Sequence, residues 1–293
     1  MASSVKRLIP PDPEKVMVLR RVAPTILTCS TPFLRAGYIK IGGRGTVVQL
    51  QTGNLAVFSP VALTPTLQRE LSTMGTGKVS YIAALDQEHH IFISEWHKYF
   101  PEARVLAPDT LPVYREKQGY DKLPAENWVL FKDGGMPVSP EFDAEFESVY
   151  LPEHVNKELV FCHKPTRTLI EADLMFNMPA TEQFSRVTEK SGMLVNSLTR
   201  AFQYFTTTNG ENPPQQRMAS LIARNDPAGF SKHVKTIASW GFDRMIPCHG
   251  DVIETGGLDA FKRVFKAQLA AYPTVANGNG ATPPLPDHTK PAA

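Results

Sequence analysis

Short apolar runs separated by turn residues fill the first part of the chain. Thr25–Cys29, Tyr38–Ile41, Thr46–Leu50 and Leu55–Ser59 each have strand length and composition. Gly42-Gly43-Arg44-Gly45 and Thr52-Gly53-Asn54 lie between them and carry residues suited to hairpin turns, which predicts a β-meander. At Thr64-Pro65 the period lengthens. Thr can cap a helix and Pro suits its first position, with Leu67, Leu71 and Met74 as the apolar stripe. A strand then runs from Val79 toward Leu85. Phe92, Trp96 and Tyr99 recur at helical spacing before Pro101, which predicts a second helix with a core-facing aromatic side. Val105–Ala107 and Trp128–Phe131 read as strands, and 109–126 between them as loop.

The second half repeats the style without repeating the sequence. Phe146–Leu151, Leu159–Cys162, Thr168–Glu171 and Phe242–Ile246 are predicted strands. Met193, Leu194 and Leu198 suggest a helix within an otherwise ambiguous stretch, 174–216. Further helices are predicted over 216–224, 228–240 and 257–272, the last with Leu258, Phe261, Val264, Phe265 and Leu269 on one side. Residues 1–21 read as an irregular, Pro-rich lead-in, 22–274 as one domain, and 275–293 as a disordered tail of Asn, Gly, Pro and Thr. Strands followed by helices in each half predict an α+β fold, a four-layer αββα sandwich. A doubly wound sheet is the competing architecture.

Composition narrows the function classes. A chain of 293 residues with 42% hydrophobic content can bury a large core. The net charge of +2 gives no strong field for nucleic acid or an anionic membrane. No run of about 20 apolar residues is present, and the first eleven residues lack an apolar core of signal-peptide length. Cys29, Cys162 and Cys248 form no C-x-x-C pair, which fits free thiols in a reducing compartment. The expectation is a cytoplasmic protein acting on a small-molecule substrate, with neither nucleic acid nor membrane as partner; the oligomeric state is left open.

The chemistry gathers at strand ends. Asp86-Gln87-Glu88-His89-His90, Glu153-His154, Ala172-Asp173 and Pro247-Cys248-His249-Gly250 each follow an apolar run. Imidazoles and carboxylates placed so can converge on one point of a layered fold and suit a divalent metal. His90, His97, His163, His233 and His288 are read as capping, turn or surface residues. Cys248 is not read as a nucleophile despite its histidine neighbour, since adjacent residues of an extended segment point opposite ways.

These segments resemble, in order and spacing, the metal-binding motifs of metallo-β-lactamase-fold hydrolases. Those proteins have His-x-His-x-Asp-His after a strand, a later His, an Asp closing a Gly-Asp pair, and a final His in a Gly-rich turn. Ala84-Leu85-Asp86-Gln87-Glu88-His89 occupies the first motif, His154 the second, Ala172-Asp173 the third and Pro247–Asp251 the last. Glu88-His89-His90, His249-Gly250-Asp251 and the stretch Leu55–Thr64 are also similar to the DUF4336 group related to that fold, over roughly residues 22–272. The resemblance implies one metal site held by Glu88, His89, Asp173 and His249. His154 matches a first-site ligand, and with Asp86 it would hold a second ion weakly or orient substrate. Ala84 stands where a first-site His would be, so restoring His there is expected to add a ligand. The implied ion is one divalent metal, zinc first, with iron or manganese compatible.

The implied activity is hydrolysis of an ester, lactone, thioester, amide or phosphoester by a metal-bound hydroxide, with Asp86 or Asp173 accepting the proton. A member that has kept the fold and lost catalysis is the main alternative. Redox or isomerase chemistry at the same pocket is a third.

Overall fold

A computed structural model describes residues 10–132, 136–189, 191–222 and 225–271. Among the described residues, eleven of thirteen strands form two sheets that, with helices outside, make the expected αββα sandwich. The first sheet has the order β1-β2-β5-β6-β7-β8-β9: Val18–Ala23, Ile26–Thr31, Gly43–Gln49, Leu55–Phe58, Val79–Ala83, Arg104–Pro108 and Trp128–Phe131. Its β1-β2-β5-β6 part is antiparallel, and β6 to β9 pair in parallel. The second sheet, β10-β11-β12-β13, comprises Phe146–Leu151, Glu158–His163, Thr168–Glu171 and Arg244–Pro247. A small hairpin, β3 Leu34–Arg35 with β4 Ile39–Lys40, stands apart from both.

Three apolar layers separate the four structural ones. Phe58, Phe131, Phe142, Phe146 and Phe161 fill the space between the sheets. Leu67, Leu71, Ile93, Trp96 and Leu111 pack three helices, Pro65–Thr73, Ile93–Tyr99 and Leu111–Lys117, on the outside of the first sheet. Phe230, Val234, Ile237, Phe261 and Phe265 do the same for the second sheet. The parallel strands β6 to β9 alternate with the three helices of the first face. Alternation is therefore present locally, but one face only is covered by helices, because the other packs on the second sheet.

Several elements differ from the sequence expectation. A helical turn, Pro13–Val16, lies in the expected irregular lead-in, and strand β1 begins there and runs two residues beyond it. Prolines at 10, 11 and 13 mask a strand that begins five residues after the last of them. Gly42–Gly45 is not a hairpin turn: Gly43, Arg44 and Gly45 pair with Thr31, Ser30 and Cys29 inside the first sheet. The expected loop over 109–126 contains the helix Leu111–Lys117, which opens with Pro112 in its first turn. The helix expected over 257–272 is two, Gly257–Val264 and Lys266–Ala270. Trp96 is buried but Tyr99 is half exposed, so the aromatic stripe is not uniformly inward. The tail 275–293 lies outside the described residues. Among the described residues no helix is long and apolar enough to cross a membrane.

Candidate metal centre

Parallel pairing of β12 with β13 sets the first two site residues. Glu171 is opposite Pro247, so Asp173 and His249 leave the sheet at the same end, two residues beyond a matched pair. Their Oδ1 and Nε2 atoms are 3.2 Å apart. The His249 turn is tightly built. Gly250 has φ +89°, and a Cβ there would fall 2.1 Å from the Asn177 carbonyl oxygen, so glycine is required. Arg44, almost fully buried in β5, donates to the Pro247 and Gly250 carbonyls at 2.7 and 2.6 Å. His249 Nδ1 donates to the Gly42 carbonyl at 2.6 Å, and Phe176 stacks on the ring at 5.2 Å with the planes 9° apart.

The third residue comes from the other sheet. After β7 the chain bends through Asp86, whose Oδ1 accepts the Glu88 and His89 backbone N–H groups, each at 2.7 Å. The same oxygen accepts His89 Nδ1–H at 2.8 Å. Leu159 N donates to Leu85 O at 2.6 Å and Gln87 N to Asn156 O at 3.0 Å, which joins the two sheets beside this bend. His89 Nε2 then lies 3.1 Å from His249 Nε2. Donor atoms of His89, Asp173 and His249 all lie within 4.8 Å of one another.

Each of the two rings has its Nδ1–H committed to an oxygen. In the neutral rings both Nε2 atoms therefore carry lone pairs and face each other. That arrangement is repulsive without a proton or a cation between them. Two nitrogens sharing a tetrahedral ion at about 2.0–2.1 Å are about 3.3 Å apart, close to the observed spacing. Asp173 Oδ1 is buried and lacks a hydrogen-bond partner, while Asn156 Nδ2 holds its Oδ2 at 2.6 Å. The donor set and its orphaned oxygen fit a divalent cation.

The charges agree with this geometry. Burial opposes charge on His89, but Asp86 and Asp173 outweigh it and push the imidazole up to about 10. Burial also opposes ionisation of Asp173, yet His89 and then His249 hold it well below the usual carboxylate range. Glu158 is fully buried and accepts the Ala172 and Asp173 N–H groups at 2.8 and 3.0 Å. Burial, and after it the charges of Asp86 and Asp173, raise the Glu158 carboxyl well above its ordinary value. Glu158 thus clamps the Asp173 loop through the two backbone N–H groups that it accepts.

The remaining expected residues occupy other places. Asp86 is fully buried and spends Oδ1 on orienting His89; its Oδ2 has no hydrogen-bond partner. Glu88 is exposed and stands outside the three-residue group, taking the Tyr114 hydroxyl at 3.4 Å. His154 is buried, but the Asn156 N–H at 3.2 Å can only donate to its Nδ1, so the neutral ring carries its proton on Nε2, which has no partner. Burial lowers the His154 pKa, which keeps that ring neutral. Ala84 is fully buried in the apolar layer with Leu67, Ile93 and Trp96. His97 is buried, not solvated, and His163 is buried at the end of β11 against Glu145 and Thr166. All three cysteines are buried and free, and burial pushes the Cys248 thiol well up.

Sequence reading missed Gly42, Arg44, Asn156, Glu158 and Phe176. The only signal was a carboxylate or guanidinium adjoining an apolar strand run, as at Glu158 before Leu159–Cys162 and Arg44 before Thr46–Leu50.

Comparison with solved structures places the same fold in several proteins. A metallo-β-lactamase from Pontibacter korlensis superposes with a TM-score of 0.54 at 7% identity, over 86% of this chain and 98% of that one. One from Hirschia baltica gives 0.54 at 10%, over 87% and 98%. A flavo di-iron protein variant from Thermotoga maritima gives 0.56 at 12%, over 86% of this chain and 61% of that one. No curated protein matches in sequence. A family model described as "Domain of unknown function (DUF4336)" matches residues 35–219, well over half of the sequence, and the chain belongs to that family.

Proposed function

We propose that the chain is a metal-dependent hydrolase with a single metal site held by His89, Asp173 and His249. The observation that carries this reading is the facing pair of Nε2 atoms, 3.1 Å apart, with each Nδ1 tied to an oxygen and an unpartnered Asp173 Oδ1 beside them. Metal-ligating histidines normally have their second nitrogen anchored in this way. A bound divalent ion supplies Lewis acidity and a water of lowered pKa at neutral pH. Zinc is the first choice for a His₂Asp set, and iron is the second, since the fold also serves a flavo di-iron protein.

The chain's own residues divide the remaining work. Asp86 positions His89. Glu158 and Asn156 fix the Asp173 carboxylate, leaving Oδ1 free to bind the ion, and the lowered Asp173 pKa favours ligation over proton transfer. His154 is buried against the Asp173 backbone, where its neutral ring steadies the loop that carries the Asp173 carboxylate. Glu88 sits outside the three-residue group, where its exposed carboxylate bears on substrate access rather than ligation. The substrate class is a small-molecule ester, lactone, thioester, amide or phosphoester, and a net charge of +2 favours neither nucleic acid nor membrane as partner.

Elemental analysis of the purified protein and of H249A tests the reading. About one equivalent of zinc, iron or manganese in the parent, lost in the variant, together with turnover in an ester and lactone screen, is the expected result. Metal without turnover on any substrate class would favour a redox or binding role. An absence of metal after incubation with zinc would leave a non-catalytic member of the fold.

A further inference from the structure

A cavity lies against the β3–β4 hairpin, lined in part by Leu34 and Lys40. Its volume is about 400 Å³, within the range of about 300–1,000 Å³ typical of small-molecule sites. Phe33, Leu34, Phe184, Val187 and Val195 provide apolar walls. Two cations, Lys40 and Arg186, and one acid, Glu189, complete the charged lining among the described residues. Lys40 Nζ stands 5.4 Å from the centre of the Phe184 ring and forms no ion pair with a carboxylate among the described residues. Arg186 uses Nη1 on the Met17 carbonyl at 2.6 Å and likewise has no acidic partner there. The Lys40 ammonium thus stands at an aromatic wall, beside an apolar chamber, with no carboxylate at ion-pair distance among the described residues.

The backbone fixes the cavity relative to the metal centre. The Phe33 carbonyl accepts the Ile41 and Gly42 N–H groups, and the Gly42 carbonyl in turn holds His249. The Phe33 ring lines the cavity and its centre is 6.1 Å from that of His249. On the other side Thr199, in the helix Met193–Thr206, accepts the Lys40 N–H at 3.1 Å, which pins β4 beneath that helix. None of the three residues grouped for metal binding lines this cavity, so its ligand is a separate question from the ion.

We propose that this cavity binds an anionic amphiphile: a short acyl or aryl body lodged among Phe33, Phe184, Val187 and Val195, with a carboxylate or sulfonate on Lys40 and Arg186. Apolar walls alone would accept any hydrophobe. The two cations without acidic partners supply the selection for an anion, and a charge-assisted contact to a carboxylate is stronger than a neutral one. The inference stands apart from the hydrolase reading, because it needs neither a bound metal nor turnover.

Titration with 8-anilinonaphthalene-1-sulfonate, read by fluorescence and competed by octanoate or octanol, tests it. The expected result is one saturable dye site per chain, displaced by octanoate at about tenfold lower concentration than by octanol. K40M should weaken octanoate about tenfold and leave octanol unchanged, since Met keeps the apolar stem and removes the charge. V187W should fill the chamber and abolish dye binding while the thermal melt stays cooperative; if it does not fold, K40M decides. L194S, on the exposed face of the helix Met193–Thr206, should leave the dye site intact. Equal competition by octanol and octanoate, or dye binding lost in L194S and retained in V187W, would overturn the proposal.

Discussion

The two sides of the candidate centre are made from the same residue types and behave differently. On one side, His89 and His249 each donate Nδ1–H to an oxygen, Asp86 Oδ1 and Gly42 O, and their Nε2 atoms converge to 3.1 Å. On the other, His154 receives an N–H at Nδ1 and carries its proton on Nε2, while Ala84 is sunk in an apolar layer. A histidine at a strand end is therefore not a ligand by residue type. Its second ring nitrogen decides whether the first presents a lone pair or a proton. One side of the site brings two ring nitrogens to a shared point, and the other holds a ring whose Nε2 carries its proton.

The sharpest way to break the comparison is to remove one histidine from each side. H249A takes away a ligand and the Gly42 anchor together, and metal content should fall to about a tenth or less of the parent value. H154A should leave metal content nearly unchanged and lower turnover, if turnover is found. Equal metal loss in both variants, by elemental analysis, would make His154 a ligand and erase the distinction. A smaller effect is expected from D86N. The amide can still accept from His89 Nδ1 but loses the negative charge, so metal affinity should fall about 10–100-fold by competition titration. Unaltered affinity would show that the Asp86 charge does not tune the site.

The layers and most strands were legible in the sequence because period-2 runs and flanking turn residues are local signals. Thr64-Pro65 marked its helix correctly, and Thr64 Oγ1 accepts the Leu67 N–H as a cap should. The four site segments were legible as strand ends, and three of them supply the converging group. What was not legible depends on pairing across the fold. Gly42–Gly45 has turn composition, but its role is set by pairing with β2 and by Arg44 reaching Pro247 and Gly250, more than 200 residues away in sequence. Glu158 resembles a solvated strand edge until the Ala172 and Asp173 amides are seen on its carboxyl. Glu88 was assigned by motif position, and a motif does not record that the bend at Asp86 leaves the next carboxylate exposed.

Ala84 offers a way to sharpen the contrast. Motif logic expects A84H to rebuild a first-site ligand. The structure puts that Cβ in the layer of Leu67, Ile93 and Trp96, with the Ala84 N–H already on Leu106 O at 2.9 Å. An imidazole there overfills a packed layer and buries a polar ring without partners, at a cost of about 2 kcal/mol or more. A lowered denaturation midpoint with no additional bound metal is the expected outcome. A second equivalent of zinc at unchanged stability would show that this face opens toward the site.

The gentlest test is pH, because it acts on both states of the centre with opposite sign. Metal-free His89 titrates at about 10, above the ordinary imidazole value of 6.5. Its protonated form therefore stabilises the metal-free fold fully below about 6.5, and this contribution is lost as pH rises through about 10. Glu158, raised by burial, has the same sign: its contribution is complete below its ordinary value of 4.5 and fades as pH climbs toward the raised folded value. EDTA-treated protein should accordingly melt a few degrees lower at pH 9 than at pH 6. A cation competes with the His89 proton for Nε2, so metal affinity should rise over the same interval, and the gap between metal-loaded and metal-free melting temperatures should widen. Parallel melting curves for the two forms across pH 6–9 would mean that the proton and the metal do not share His89. The facing nitrogens would then be held together by packing alone.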